Sequence, residues 1–140
     1  MITSDTLKRY WVKLAVLLIA DGEKKAQWLK KHRIFHHIGE NCSFKTNILP
    51  AEPFLVCLHD NVRIAAGCRL ITHSMTCSVF NRATGSNRFY CQYGKIEIHS
   101  NVFVGGGSTI MYGVTIGENS IVAAGSVVTK DVPAGRVGGG

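Results

Sequence analysis

From Ile98 to Pro133 the chain repeats a pattern of aliphatic, turn-forming and small residues every six positions. The aliphatic positions are Ile98, Val104, Ile110, Ile116, Val122 and Val128. Three residues after each comes a residue type that tolerates positive φ: Asn101, Gly107, Gly113, Asn119, Gly125 and Asp131. The next residue is always small enough to face inward beside a bend: Val102, Ser108, Val114, Ser120, Ser126 and Val132. Each unit therefore predicts a short strand followed by a bend.

A six-residue period excludes the two commonest regular structures. It does not match the 3.6-residue period of an α-helix, in which Gly or Asn at every sixth position would cost up to about 1 kcal/mol each time. A flat sheet would show a period of two. The pattern instead predicts three six-residue sides that close a triangular coil of about 18 residues, with stacked coils about 4.8 Å apart, as in parallel β-helices.

The same pattern begins further upstream, with two interruptions. It starts at Ile38, breaks over a loop from Asn47 to Phe54 that contains two prolines, and resumes at Leu58. The resumed coil has its third bend position occupied by His73, where the pattern requires Gly, Asn or Asp. No repeat can be drawn between Met75 and Lys95, so this loop is predicted to leave the coil, either as a lid over a site or as a disordered insertion.

Two helices are predicted before the coil. The first runs from Thr3 to Ala20, capped by Ser4 or Asp5, and carries an apolar stripe of Leu7, Trp11, Leu14 and Leu18. The second, from Glu23 to His32, is basic and is expected on the surface. The apolar run from 14 to 20 is too short to span a bilayer and makes a poor secretion signal. The sequence thus predicts a helical segment over 1–37 and a coil domain over 38–140, with the loop at 75–95.

Charge and cysteine content narrow the function classes. Most of the formal charge of +7 lies in residues 1–37, which contain eight Lys or Arg but only three Asp or Glu. A basic end suggests an anionic neighbour such as a phosphorylated cofactor, an anionic sugar polymer or a membrane surface, whereas no nucleic-acid motif is present. The five cysteines are odd in number and lack CxxC spacing, which argues against a disulfide framework and a zinc site and favours a reducing compartment. Cys42 and Cys68 fall at inward positions and are predicted core residues.

The stretch VGGGSTIMYGVTIGENSIVAAGSVVTKDVP resembles the left-handed β-helix acyltransferases of the hexapeptide-repeat class, and GSVVTKDVPAG is its most specific part. Within this class it resembles galactoside, maltose, virginiamycin-type and polysaccharide O-acetyltransferases. The resemblance implies a left-handed coil, acetyl-CoA as acyl donor and a homotrimer with sites between subunits. The cysteine pattern is the reason to expect a cytoplasmic enzyme. Members of this class usually continue into a basic C-terminal tail, so that tail is expected to be missing after Gly140.

His73 is the predicted catalytic residue. It opens the long loop, its predicted bend position does not commit its ring to the core, and imidazole titrates near neutral pH. It can therefore take a proton from a sugar hydroxyl as the oxygen attacks a thioester. In the resembling acetyltransferases the catalytic base is the corresponding histidine, and the LITHSM stretch matches that place. The alternative is a surface histidine that tolerates a bend.

A groove for the donor is predicted beside two small residues. Gly106 and Ala124 are 18 residues apart and hold the same place in successive coils, so they should lie one above the other and leave room for an extended pantetheine arm. In the resembling enzymes the acetyl-CoA contacts fall at the positions matching Gly106, Ala124, Thr129 and Lys130. Lys130 can meet a phosphate and Thr129 offers a hydroxyl.

The expected function is transfer of an acetyl group from acetyl-CoA to a hydroxyl of a sugar or polysaccharide precursor, directly and without a metal. Three alternatives stay open. Cys77, four residues from His73, could be an acylated nucleophile. A gamma-class carbonic anhydrase would need three converging histidines, for which only His59, His73 and His99 could be proposed. A β-helix can also serve as a non-catalytic scaffold. The pattern does not identify the acceptor.

Overall fold

The structure is a computed structural model that describes residues 3–139. It contains three α-helices: α1 (Ser4–Leu18), α2 (Gly22–Lys31) and α3 (Thr76–Thr84), and a 3₁₀ turn at Pro53–Leu55. The strands are β1 (His37–Ile38), β2 (Ser43–Phe44), β3 (Val56–Leu58), β4 (Arg63–Ile64), β5 (Arg69–Leu70), β6 (His73–Ser74), β7 (Gln92–Tyr93), β8 (Ile96–Ile98), β9 (Phe103–Val104), β10 (Thr109–Ile110), β11 (Thr115–Ile116), β12 (Ile121–Val122), β13 (Val127–Val128) and β14 (Val137–Gly138).

The strands form three parallel sheets that make the sides of a coil. Face A has the strand order β1-β3-β8-β11, face B has β14-β12-β9-β4-β2, and face C has β13-β10-β5. From β8 to β13 successive strands along the chain lie on faces A, B and C in turn, and Thr109 pairs with Val127, 18 residues further on. This offset is the one predicted for stacked coils. The fourth sheet is the antiparallel pair β6 and β7.

Most bends follow the predicted pattern, but two residues depart from it. Of the six predicted bend residues, all but one adopt positive φ, from 56° at Asn119 to 78° at Gly113. Asp131 does not, and its carboxylate instead accepts a hydrogen bond from the Thr115 N–H at 2.8 Å. His73, predicted at a bend, lies in strand β6 with ordinary φ. His73 departs from the pattern where the chain leaves the coil, whereas Asp131 lies just before the point where face A is reduced to a single bridge between Val132 and Ile116.

The predicted inward residues form one continuous core. All six aliphatic positions of 98–133 and all six small positions after the bends are at most 8% exposed. The buried serines satisfy their hydroxyls on backbone carbonyl oxygens: Ser108 and Ser126 both donate to Ala123, and Ser120 donates to Pro133. A small polar residue can therefore sit inside the coil because a backbone acceptor is always within reach.

One corner of the coil carries a ladder of asparagines. Asn61, Asn101 and Asn119 all adopt φ between 55° and 60° at the bend between faces A and B. The Asn61 Nδ2 donates to Asn101 Oδ1 at 3.0 Å, and the Asn101 Nδ2 donates to Asn119 Oδ1 at 2.9 Å. Asparagine at these bends therefore both tolerates the backbone conformation and joins three successive coils.

The N-terminal helices differ from the sequence prediction in the residues they bury. Helix α1 is capped by the Thr3 side chain rather than by Ser4 or Asp5. Its predicted apolar stripe is about half or more exposed, and the residues it buries are Val12 and Val16. No helix within residues 3–139 has the length and apolar character needed to cross a membrane.

Helix α2 is not the wholly solvated surface helix that its charge predicted. Ala26 and Leu29 are buried in the core, and Lys25 is 1% exposed. The Lys25 ammonium donates to the Asn47 Oδ1 at 2.6 Å and to the carbonyl oxygen of Thr46 at 3.3 Å. Burial, and less so the nearby charge of Lys45, lower the pKa of Lys25. Lys25 thereby fastens the helix to the irregular segment that interrupts the coil.

The asparagine ladder generates a stability prediction. At φ 60° a Cβ-bearing residue without a local hydrogen bond is strained by roughly 1–2 kcal/mol, whereas glycine is not. Asn101→Ala and Asn101→Gly both remove the ladder contact, so their difference reports the backbone conformation. We expect the Ala variant to be less stable than the Gly variant by about 1 kcal/mol, measured by thermal unfolding followed by circular dichroism. Equal melting temperatures, or a more stable Ala variant, would contradict the assigned bend.

Candidate active site

His73 lies where the chain leaves the coil. Strand β6 comes after β5 of face C in the chain and pairs antiparallel with β7. This pairing brings His73 opposite Tyr93 at the other end of the excursion. The two rings are 5.4 Å apart. The His73 side chain is 25% exposed, so its ring is held by protein on one side and open to solvent on another. The structure thus presents this imidazole at the edge between faces C and A.

A carboxylate that the sequence pattern did not predict orients the His73 ring. The His73 Nδ1 is 2.8 Å from Glu52 Oε2. Since an ionised carboxylate can only accept, Nδ1 carries the proton of this hydrogen bond. In the neutral ring, Nε2 is then left with its lone pair free to accept a proton. Histidine with this partner has the arrangement of a general base.

Glu52 is itself fixed by the neighbouring threonine. The Thr72 hydroxyl donates to Glu52 Oε2, and the Glu52 backbone N–H donates back to the Thr72 Oγ1 at 3.3 Å. Burial opposes ionisation of Glu52, but the hydrogen bonds from Thr72 and His73 outweigh it and hold its pKa below the usual value. Glu52 therefore stays ionised at neutral pH and can accept the hydrogen bond from His73 Nδ1.

No sequence signal marked Glu52. It lies 21 residues before His73, in the irregular stretch with Pro50 and Pro53 where the six-residue pattern is interrupted. That stretch was predicted only as a loop. Its return to the coil through the 3₁₀ turn at Pro53–Leu55 is what places the carboxylate against the next coil.

The excursion from 75 to 95 is an ordered element rather than a simple loop. Helix α3 occupies Thr76–Thr84 and ends at Gly85 with φ 61°. A disulfide joins Cys77 in this helix to Cys91 just before β7. The prediction that the cysteines form no disulfide is therefore wrong for this pair, while Cys42 and Cys68 are buried thiols as predicted. With its sulfur bonded to Cys91, Cys77 is not a free nucleophile, which removes the acylated-cysteine alternative.

Gly106 and Ala124 stack along a different edge of the coil. Both lie between faces B and C, and the Gly125 N–H donates to the Gly106 carbonyl oxygen at 2.9 Å. Gly106 is half-buried and Ala124 is exposed. The adjacent Gly105 is required by packing, because a Cβ there would lie 2.5 Å from the Ala124 backbone nitrogen. This edge is therefore narrow and low, with backbone groups accessible beside it.

Thr129 and Lys130 are exposed on the edge between faces C and A. They line a cleft together with Arg136 and Val137 at the C-terminal end of the coil. The four residues predicted to contact the donor thus do not form one cluster. Along the chain, Gly106 and Ala124 precede strands of face C, whereas Thr129 and Lys130 follow one. Two cationic side chains, Lys130 and Arg136, stand at this cleft and could meet phosphate groups.

The three histidines considered for a carbonic anhydrase-like metal site do not converge. His59 and His99 stack with ring centroids 4.6 Å apart and planes 17° apart, whereas His73 is engaged by Glu52. Within residues 3–139 no group of metal-ligating side chains includes all three. The predicted carbonic anhydrase alternative is not supported by this arrangement.

Several known proteins are similar to this chain in sequence and in fold. The bacterial transferase hexapeptide family (six repeats) matches residues 95–130. The galactoside O-acetyltransferase of Escherichia coli K12 is 36% identical over 104 residues, which is 74% of this chain and 49% of that protein. The chain spans about half the length of the first curated relatives that it matches.

Solved structures show the same fold at lower identity. A maltose O-acetyltransferase from Clostridium difficile 630 aligns with a TM-score of 0.63 at 24% identity, covering 94% of this chain and 81% of that one. A galactoside acetyltransferase in complex with coenzyme A aligns with the same TM-score at 23% identity, covering 96% and 75%. Residues 95–130 thus carry the bacterial transferase hexapeptide repeat, and the chain as a whole resembles the hexapeptide-repeat acetyltransferases.

Proposed function

We propose that the protein transfers an acetyl group from acetyl-CoA to a hydroxyl of a sugar or polysaccharide precursor. The observation that carries this proposal is the contact of His73 Nδ1 with Glu52, which leaves Nε2 as a base at an accessible edge. The relatives named O-acetyltransferases and the coenzyme A complex of one of them support the choice of donor and of acceptor class.

The proposed mechanism is direct transfer. His73 Nε2 removes the proton of the acceptor hydroxyl while the oxygen attacks the thioester carbonyl carbon, and the carbonyl becomes an oxyanion. Collapse of this intermediate breaks the carbon–sulfur bond, and the coenzyme A thiolate leaves and takes up the proton. Glu52 acts as a positioning residue: it holds the ring and stabilises the imidazolium that forms.

The donor is proposed to run beside face C. Gly106 and Ala124 offer a low edge along which a pantetheine arm can approach backbone groups, since side chains larger than methyl are missing there. Lys130 supplies positive charge for the phosphate groups, and Thr129 supplies a hydroxyl. Both pairs of residues border the outer side of face C, where Arg69, Thr109 and Val127 are paired side by side.

The complete site is proposed to need two subunits of a homotrimer. Within one chain, His73 lies on the edge between faces C and A, whereas Gly106 and Ala124 lie on the edge between faces B and C, so the width of face C separates them. Faces B and C also expose apolar residues outward, namely Phe103, Ile121 and Val127. A threefold arrangement brings the edge of one coil against a different edge of its neighbour and covers these residues.

The hand of the coil and the compartment belong to the same proposal. We infer a left-handed coil, as the resemblance to the hexapeptide-repeat acyltransferases implies, although parallel crossovers are generally right-handed. Supply of acetyl-CoA favours the cytoplasm as the place of the reaction, whereas the Cys77–Cys91 disulfide removes the support that the cysteine pattern gave to a reducing compartment.

Removing the base tests the reaction. With acetyl-CoA and a panel of sugars, thiol release should identify an acceptor for the unaltered protein. His73→Ala should lower kcat by about 10²–10⁴-fold, because proton removal from the attacking hydroxyl is lost. His36→Ala is the matched control, since His36 is exposed outside the site, and it should keep full activity. Full activity of the His73 variant, or no thiol release with any hydroxyl acceptor, would refute the proposal.

A mixing experiment tests the shared site. His73→Ala removes the base, and Ala124→Trp fills the donor edge, so each variant alone should be inactive. In trimers assembled randomly from equal amounts of both, about one quarter of the sites combine an intact base with an intact donor edge if the two come from different subunits. Co-expressed variants should therefore regain about a quarter of the activity. A mixture as inactive as its components would show that each site lies within one chain.

A further inference from the structure

A cluster of potential metal ligands lies on the outer side of face A and uses no residue of the proposed acetyl-transfer site. Cys57 in β3 is paired in register with Glu97 in β8, and the residues that follow them, Leu58 and Ile98, point into the core. Cys57 and Glu97 therefore project outward from adjacent strands. His59 follows the end of β3 and leans back over both of them.

Three different ligand atoms converge in this cluster. The His59 Nε2 is 3.0 Å from Glu97 Oε1 and 3.8 Å from Cys57 Sγ. All three ligand atoms lie within 4.8 Å of one another. A tetrahedral zinc ion with bonds of about 2.3 Å to sulfur and about 2.0–2.1 Å to nitrogen and oxygen requires sulfur–nitrogen and nitrogen–oxygen separations of about 3.5 Å and about 3.3 Å. The two observed distances from Nε2 lie within about 0.3 Å of these values, and the sulfur–oxygen distance, which is at most 4.8 Å, must close to about 3.5 Å.

The geometry is unlike that of a catalytic triad. In a cysteine–histidine–carboxylate triad the thiol and the carboxylate contact opposite nitrogens of the imidazole ring. Here both face the same nitrogen, and a neutral Nε2 can donate one hydrogen or accept one, so it cannot satisfy both partners at once. A cation at their common centre would satisfy the sulfur, the nitrogen and the oxygen together.

The surroundings hold each ligand in place. Lys95 Nζ binds the other carboxylate oxygen, Glu97 Oε2, at 2.9 Å, which leaves Oε1 directed at His59. The ring of His99 stacks on His59 and fixes its plane. Cys57 is 6% exposed although it points outward, so the cluster itself shields the thiol from water. Partners that orient the ligands in this way are characteristic of metal sites.

We propose that Cys57, His59 and Glu97 bind a zinc ion, with a fourth position left for water or another donor. A thiolate, an imidazole and a carboxylate are a donor set that zinc accepts, whereas the thiolate disfavours magnesium and calcium. Cys57 and His59 belong to the coil before the excursion at 75–95, and Glu97 belongs to the coil after it. The ion would therefore clamp together two coils that the excursion separates in the chain.

Titration calorimetry and cobalt substitution test the proposal on the full, untagged chain. Zinc should bind with one site per chain and a Kd of about 1 μM or tighter. Cobalt in its place should give a tetrahedral visible spectrum and a thiolate-to-cobalt charge-transfer band. Absence of zinc binding, or a cobalt complex without the thiolate band, overturns the proposal.

Variants assign the ligands. Cys57→Ser should abolish the thiolate band, whereas Cys68→Ser, the matched change at another buried thiol, should leave it unchanged. Glu97→Gln should weaken zinc binding by at least about tenfold. If circular dichroism shows that Cys57→Ser does not fold, the result with Glu97→Gln tests the ligand assignment instead. A thiolate band that survives Cys57→Ser, or zinc binding unaffected by Glu97→Gln, overturns the assignment.

Discussion

The parallel pairing of each strand with the strand one coil further on is the constraint on which the rest of the structure depends. It requires a bend after every short strand, a small residue inside each bend and an aliphatic residue inside each strand. Because these requirements recur every six residues, the chain has little freedom along the coil. The proposed catalytic histidine, His73, departs from this pattern at the point where the chain leaves the coil.

The periodic part of the fold could be predicted from the sequence, and the aperiodic part could not. Bends at Asn101 and Gly107 follow from residue types that accept positive φ. Helix α3 and the Cys77–Cys91 disulfide carry no comparable signal, since the nine-residue helix is short and the pairing of cysteines depends on tertiary contact. His73 stands out in the sequence because it breaks the pattern, but its predicted position at a bend is wrong. Glu52 stayed hidden because its role arises only when an irregular segment meets the next coil.

The two groups of proposed site residues lie on different edges of the coil. The proposed general base, His73, lies on the edge between faces C and A, and the proposed donor edge at Gly106 and Ala124 lies between faces B and C. A rigid coil cannot bend to bring its own edges together, so a proposed site that needs both is most simply completed by a neighbouring chain. On this view the outer side of face A, with Cys57, His59 and Glu97, serves stability rather than acetyl transfer.

In the proposed mechanism, Glu52 holds the proton of His73 on Nδ1 and leaves Nε2 as the base. Nitrogen-15 spectroscopy of the histidine rings, with His73 assigned by comparison with His73→Ala, measures this directly. We expect neutral His73 to be protonated at Nδ1 in the unaltered protein and to lose this preference in Glu52→Gln. A neutral ring protonated at Nε2, or a tautomer that does not respond to the loss of the Glu52 carboxylate, would contradict it.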